Sequence, residues 1–159
     1  MLLVECAKSC QHANPELVID SFGINEGAEI NVWCDKEIIR NAIEEVISNS
    51  VRELTFRNVE SPIIHIAANT HGGEFWLSIT DNGLPVDVQL IANPFEEGAT
   101  TYERVGLGTG LGLAIVRESF QSHGGDCTLQ PNFDEHGDRF PGTSFHGHLP
   151  LSSRPNQNE

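Results

Sequence analysis

The chain has 159 residues and a mass of 17.4 kDa, the size of one domain with a single core. Apolar residues make up 38% and charged residues 20%, too mixed a composition for a disordered chain. Lys plus Arg total 9 against 23 Asp plus Glu, and the formal charge of -14 excludes a fold-wide basic surface, so nucleic acid and anionic membranes are not expected as primary partners.

No window approaches the ~20 consecutive apolar residues of a membrane span, and no charged segment followed by an apolar one opens the sequence as a leader. Cys6, Cys10, Cys34 and Cys127 offer at most one close pair, where structural zinc sites usually show two. Buried reduced thiols are the expectation.

Residues 2–12 carry apolar groups at Leu2, Leu3, Cys6 and Cys10, a helical spacing that Asn14-Pro15 breaks. Residues 16–22 and 29–34 read as strands, with the turn at 23–27 between them. Asp35 reads as the N-cap of a long helix. Its apolar stripe is Ile38, Ile39, Ala42, Ile43, Val46, Ile47, Val51 and Leu54. Residues 62–68 and 74–80 flank His71-Gly72-Gly73 as a hairpin, and Gly-rich irregular sequence runs from Asp81 to Gly110. A second helix spans about 111–123 with Leu113, Ile115, Val116 and Phe120, and Gly124-Gly125 ends it. Strands near 126–130 and 143–149 follow, then a polar tail at 152–159. Strands in hairpins with helices sharing one face predict a two-layer α+β sandwich, not a doubly wound parallel sheet.

Four stretches carry chemistry. On the long helix, Glu45, Asn49 and Arg52 follow the i, i+4, i+7 spacing of one helix edge. A solvated edge is the plain reading. A carboxylate and a carboxamide one turn apart also supply hard oxygen donors for Mg2+, and Arg52 is then placed to meet a phosphate. Asp81-Asn82-Gly83 follows a strand. It reads as a simple turn, or as a carboxylate that accepts a hydrogen bond from a base amino group while Gly83 lets the backbone approach the ring.

The third stretch is Gly106-Leu-Gly-Thr-Gly-Leu-Gly112, which opens a helix and offers backbone N–H groups as an anion cradle. No Lys is present for a Walker A loop, and the glycine spacing fails the dinucleotide fingerprint. The fourth is Gly142 to Pro150, where Phe145 and Leu149 alternate with Ser144, His146 and His148. Thr143 offers a hydroxyl at its start. His146 and His148 share a face, and an exposed polar face is favoured over a two-His metal site.

In this order the four stretches resemble the nucleotide-binding fold of the GHKL superfamily, which includes DNA gyrase, heat-shock chaperone, histidine kinase and mismatch-repair ATPases. The resemblance covers about residues 16–150 and is nearest to the catalytic and ATP-binding domain of sensor histidine kinases. Asp35-x3-Ile39 followed by Glu45-x3-Asn49-Ser-x-Arg52 is similar to the N box, Asp81-Asn-Gly83 to the G1 box and Pro94-Phe95 to the F box. Gly108-Thr-Gly-Leu-Gly-Leu-Ala-Ile-Val116 is similar to the G2 box, and His123-Gly-Gly125 and Gly142-Thr-x-Phe-x3-Leu-Pro150 to the family's endings.

The resemblance implies a mixed sheet with helices on one face and a flexible ATP lid at 87–107. It implies a single domain over 1–151, with a linker-end helix at 1–13. It implies ATP and Mg2+ as cofactors, with Asn49 as the metal ligand and Glu45, Asn49 and Arg52 as catalytic residues. Asp81, Gly83 and Phe95 would contact the nucleotide, Gly108, Thr109, Gly110, Leu111 and Gly112 would line its phosphates, and Thr143 would assist at adenine through water. The implied activity is transfer of the γ-phosphoryl group to a His on a separate dimerisation domain, with a response regulator downstream. The fragment is expected to be monomeric and inactive in autophosphorylation on its own, with a cytoplasmic location, in a soluble protein or as the cytosolic part of a membrane-bound parent.

Three departures stand out. Pro85 replaces the second glycine of the G1 box, which stiffens that loop. Glu45 replaces the Asn common in sensor kinases, as in hydrolysing members of the superfamily. No helical domain with a phosphorylatable His is present; His12-Ala-Asn-Pro-Glu-Leu17 echoes that motif but lacks the acidic neighbour. A GHKL ATPase, an anti-sigma-factor-like serine kinase and a catalytically degenerate nucleotide-gated binding module are the alternatives.

Overall fold

The computed structural model describes residues 2–22, 32, 34–86, 94–96, 111–132 and 142–151. Among the described residues, three helices and five strands follow in the order α1 (Leu2–Ala13), β1 (Val18–Phe22), α2 (Lys36–Phe56), β2 (Ile63–His71), β3 (Glu74–Asp81), α3 (Gly112–Ser122), β4 (Asp126–Asn132) and β5 (Gly142–Pro150). The sheet order is β1-β2-β3-β5-β4. β1 runs parallel to β2, and the other pairs are antiparallel. The sheet is therefore mixed, as the family resemblance implies.

The parallel pair follows from connectivity. α2 lies between β1 and β2 in the chain and provides the long crossover that parallel neighbours need. β1 thus pairs with β2 and not, among the described residues, with the strand read at 29–34. Most of that strand falls outside the described residues; Val32 makes an antiparallel bridge to Leu151. β2 and β3 form the expected hairpin. Gly72 and Gly73 both have positive φ, 62° and 84°, the backbone of a two-residue turn that matches strand twist.

α2 begins where its cap chemistry says it should. The Asp35 carboxylate accepts the N–H groups of Glu37 at 3.0 Å and Ile38 at 3.2 Å. The helix ends at a left-handed Asn58 (φ 51°), with Val59 N–H bonded to Leu54 C=O and Asn58 N–H to Thr55 C=O. α3 ends the same way at Gly124, with Gly125 N–H on Phe120 C=O. Between its caps α2 buries Ile39, Ala42, Ile43, Val46, Ile47, Ser50 and Leu54. Ile38, counted in the stripe from sequence, is 43% exposed.

The core lies between the helices and one face of the sheet. Ile64, Ile66 and Ala68 of β2, Leu77 and Ile79 of β3, and Phe145 and Leu149 of β5 pack with the α2 stripe and with Val116 and Phe120 of α3. Phe120 lies so close to the β5 backbone that a Cβ on Gly147 would stand 2.6 Å from its ring. α1 adds Leu3, Cys6 and Ala7, and its Glu5 accepts from Arg40 of α2 at 2.9 Å. All four thiols are free, and burial raises those of Cys6 and Cys127 to about 11 and about 12. They are inert at neutral pH.

The other face of the sheet is polar and aromatic. Trp76 and His148 stack there at 4.8 Å, and His148 Nδ1 lies 3.3 Å from Glu74 Oε1. Among the described residues no three His, Cys, Asp or Glu side chains gather into a metal site. No described helix is long and apolar enough to cross a membrane.

One histidine ties the helices together. His123 Nδ1 donates to Ser119 C=O at 2.6 Å, so Nε2 is the acceptor, and it receives the Asp35 N–H at 3.1 Å. The end of α3 is thereby clasped to the cap of α2. His123→Ala removes that acceptor and is expected to lower the melting temperature by ~2–4 °C, the equivalent of ~1 kcal/mol for a chain of this size. Thermal unfolding checks it, and an unchanged melting temperature contradicts the clasp.

Candidate functional site

Strand alternation alone puts Asp81 where a carboxylate is least at home. Leu77 and Ile79 point at the helices, so Asp81, two residues on, does too, and it is 3% exposed. Its hydrogen bonds come from three separate parts of the chain. Oδ2 accepts the Ser50 hydroxyl of α2 at 3.0 Å. Oδ1 accepts the Gly83 N–H at 3.0 Å and the Thr143 N–H at 3.3 Å. Burial raises the carboxyl above the ordinary Asp range, these three bonds pull it back, and the nearby Glu53 charge raises it; the net direction is up. A carboxylate has about four acceptor directions. With three occupied, about one is left for an incoming donor.

The 82–86 loop is held rigidly around this point. Asn82 Oδ1 accepts the Ile63 N–H and its Nδ2 donates to Ser61 C=O, both at 2.8 Å. A Cβ on Gly83 would stand 3.1 Å from Asp81 Oδ1 and 3.2 Å from Glu53 Cγ. The Thr143 hydroxyl accepts the Val86 N–H at 3.0 Å and donates to Leu84 C=O at 3.2 Å. Pro85 sits between those two groups, so the polar groups on either side of it are satisfied despite its missing N–H. The Thr143 hydroxyl is thus occupied in closing the loop, while its backbone N–H serves Asp81. Gly142 makes this possible, because a Cβ there would overlap the Asp81 carbonyl.

The second cluster lies along the edge of α2. Glu45, Asn49 and Arg52 are all half-buried. Arg52 Nη1 donates to Asn49 Oδ1 at 2.9 Å. Glu45 packs against the first residue of α3: a Cβ on Gly112 would overlap Glu45 Oε1. Leu111, the cap residue of α3, makes no side-chain cap bond. Along the helix, Glu45 and Ser50 are ~7.5 Å apart. α2 thus spaces an oxygen-rich edge beside the start of α3 from the buried carboxylate at the end of β3.

Phe95 is buried in the core, with the Arg117 guanidinium 5.3 Å above its ring and Asp126 holding Arg117 at 3.2 Å. It anchors the 94–96 segment on α3. Gly108, Thr109 and Gly110, with most of the 87–107 segment, lie outside the described residues.

The family model of histidine kinase-, DNA gyrase B-, and HSP90-like ATPases matches residues 34–153. The chain belongs to this family. Curated relatives include the histidine protein kinase DivJ of Caulobacter vibrioides, 26% identical over 68% of this chain and 18% of that protein. Cyanobacterial phytochrome A of Nostoc is 30% identical over 70% of this chain and 14% of that protein. The chain thus spans less than a fifth of the length of these relatives. Among solved structures, the mycobacterial sensor histidine kinase MprB has the same fold, with a TM-score of 0.77 at 21% identity over 94% of this chain and 91% of that one. Full-length ShkA in complex with AMPPNP matches at a TM-score of 0.73 and 22% identity over 95% of this chain and 29% of that one.

Within this ATPase-family fold, Asp81 and Gly83 lie at the end of β3 and Glu45, Asn49 and Arg52 line the edge of α2, while the motifs give no role to Ser50, which bonds to Asp81 from α2. The signal was present. Ser50 lies in the buried stripe between Val46 and Leu54, each one turn away, where a polar side chain needs a partner.

Asp81 makes a stability prediction with a definite sign. Its native carboxyl titrates above the ordinary Asp value, so it favours the fold when protonated at low pH, and that contribution is lost as pH rises through the raised native value. At neutral pH the ionised group is a cost. Asp81→Asn keeps an acceptor for Gly83 and Thr143 and donates to the Ser50 hydroxyl instead. It is expected to raise the melting temperature at pH 7 by ~2–4 °C, with the gain shrinking as pH falls toward the ordinary Asp range. Melting curves across pH check it, and a variant less stable than wild type at pH 7 contradicts it.

Proposed function

We propose that this chain is the ATP-binding catalytic domain of a sensor histidine kinase, transferring the γ-phosphoryl group of ATP to a His on a separate dimerisation domain. The observation that carries the reading is the buried Asp81 carboxylate, which keeps one acceptor direction at the end of β3. A 6-amino purine base presents the matching donor there. Gly83, with no Cβ to crowd the carboxylate and Glu53, brings its N–H onto Asp81, and the Leu84–Val86 loop clasped by Thr143 forms a preset wall.

The phosphates then lie toward the edge of α2 and the start of α3. Arg52 keeps further N–H donors beyond the one on Asn49 and meets the phosphate charge. The amides at the start of α3 cradle the phosphate oxygens, and the resemblance assigns Gly108, Thr109 and Gly110 to the same role. Asn49 and Glu45 would hold Mg2+ through hard oxygen donors one turn apart, and the ion would supply charge neutralisation at the phosphates. The chain's own contribution is to bind the base, fix the phosphate direction and place donors where charge develops. In the transfer, the His nitrogen of the dimerisation domain forms a bond to the γ-phosphorus, the bond to the bridging oxygen breaks, and ADP leaves with that electron pair. The receiving His belongs to another domain or chain, and a response regulator takes the phosphoryl group afterwards. The domain works as a monomer on the cytosolic side, without direct contact to membrane or nucleic acid.

Calorimetric titration of the purified chain with a non-hydrolysable ATP analogue tests the reading. The expected result is 1:1 binding in the micromolar range, at about -8 kcal/mol, weakened when Mg2+ is removed. A folded sample that shows no binding at millimolar nucleotide contradicts it.

A further inference from the structure

Ser50 is a buried polar group that falls inside the stretch Asn49-Ser-x-Arg52, where the resemblance gives it no role. It lies in a run of buried apolar residues on α2, at 8% exposure, where an alanine would satisfy the packing. Its hydroxyl instead donates to Asp81 Oδ2 at 3.0 Å. The two backbone bonds on the carboxylate, from Gly83 and Thr143, both fall on Oδ1. They fix one oxygen and leave the other to Ser50. The bond also joins β3 to α2 one residue from Asn49, so the base end and the phosphate edge are tied through a single helical turn.

We propose that Ser50 is a positioning residue of the nucleotide site, holding Asp81 Oδ2 toward the amino group of the base in register with the Asn49–Arg52 edge. The inference rests on the nucleotide reading above and deepens it. Ser50 does not itself need to touch the nucleotide. Its hydrogen bond favours the ionised carboxylate, against the burial that disfavours it. The charged neighbour facing Asp81 is Glu53 of α2; residues 82–86 of the loop and 142–145 of β5 carry no charged side chain. Ser50 and the two amides are therefore the groups opposing both the burial and the like charge.

The test uses the whole chain, wild type and Ser50→Ala, titrated with ADP between pH 5.5 and 8.5. Ser50→Ala is expected to bind about tenfold more weakly at pH 7. The pH at which binding is half lost is expected to move upward, because Asp81 now protonates more readily. A packing role alone would weaken binding without moving that midpoint. Ser50→Thr keeps the hydroxyl and is expected to hold the wild-type midpoint. Carbon NMR titration of the Asp81 carboxyl in the nucleotide-free proteins reads the same coupling independently of ligand, with a higher midpoint in Ser50→Ala. If Ser50→Ala does not fold, Ser50→Cys, a weaker donor of similar size, is read in the same way. Wild type that binds while the hydroxyl-deficient variant matches it in affinity and midpoint overturns the proposal for Ser50 alone. Wild type that is folded and does not bind overturns the nucleotide reading on which the proposal rests.

Discussion

A carboxylate at a core-facing strand position must be satisfied by the protein around it, or it unfolds the site that holds it. Asp81 draws its hydrogen bonds from α2, from the 82–86 loop and from the start of β5. Each of those elements is shaped by the demand. β5 must begin with Gly142 so that its backbone can reach the Asp81 carbonyl. Residue 83 has almost no room for a side chain. α2 must carry a hydroxyl in the middle of its apolar stripe. An ionised group buried at this depth costs stability even when hydrogen-bonded. Among the described residues Asp81 is the one buried charged side chain, at the point proposed to read the base.

α2 serves as both core element and ruler. Its buried face fills the space over β2, β3 and β5, while its edge carries Glu45, Asn49 and Arg52. Because the same helix supplies Ser50 to Asp81 and packs Glu45 against Gly112, the helical rise sets the distance between the two ends of the site. The caps keep that ruler in place. Asp35 fixes its start, and His123 joins that start to the end of α3, so the two helices that frame the site are tied at the far end from Asp81.

Much of this was legible in the residues. The α2 stripe, the Asp35 cap, the Gly72-Gly73 hairpin and the Gly124 stop rest on local patterns, and local patterns survive in sequence. The site motifs were legible because Gly, Asp and Asn do specific backbone and oxygen chemistry. What stayed hidden was non-local. The pairing of β1 with β2 depends on where α2 crosses the sheet, not on the residues of β1. The occupation of the Thr143 hydroxyl by Leu84 and Val86 depends on a loop 57 to 59 positions away. Ser50 was visible as a break in the stripe, yet its partner lies 31 residues on. Helical periodicity also placed Ile38 in the stripe, but the packing leaves it exposed, at the open first turn of the helix.

Asp81 Oδ2 is proposed to recognise a donor on the base. The most direct measurement compares ADP with inosine diphosphate in the same calorimetric titration at pH 7. The two ligands share sugar and phosphates; in inosine a carbonyl acceptor replaces the 6-amino donor, and the neighbouring N1 changes from an acceptor to an N–H donor. ADP is expected to bind at least tenfold more tightly, because a carbonyl facing a carboxylate loses a charge-assisted hydrogen bond. Equal affinities would mean that the phosphates alone hold the nucleotide and that the buried carboxylate does not read the base.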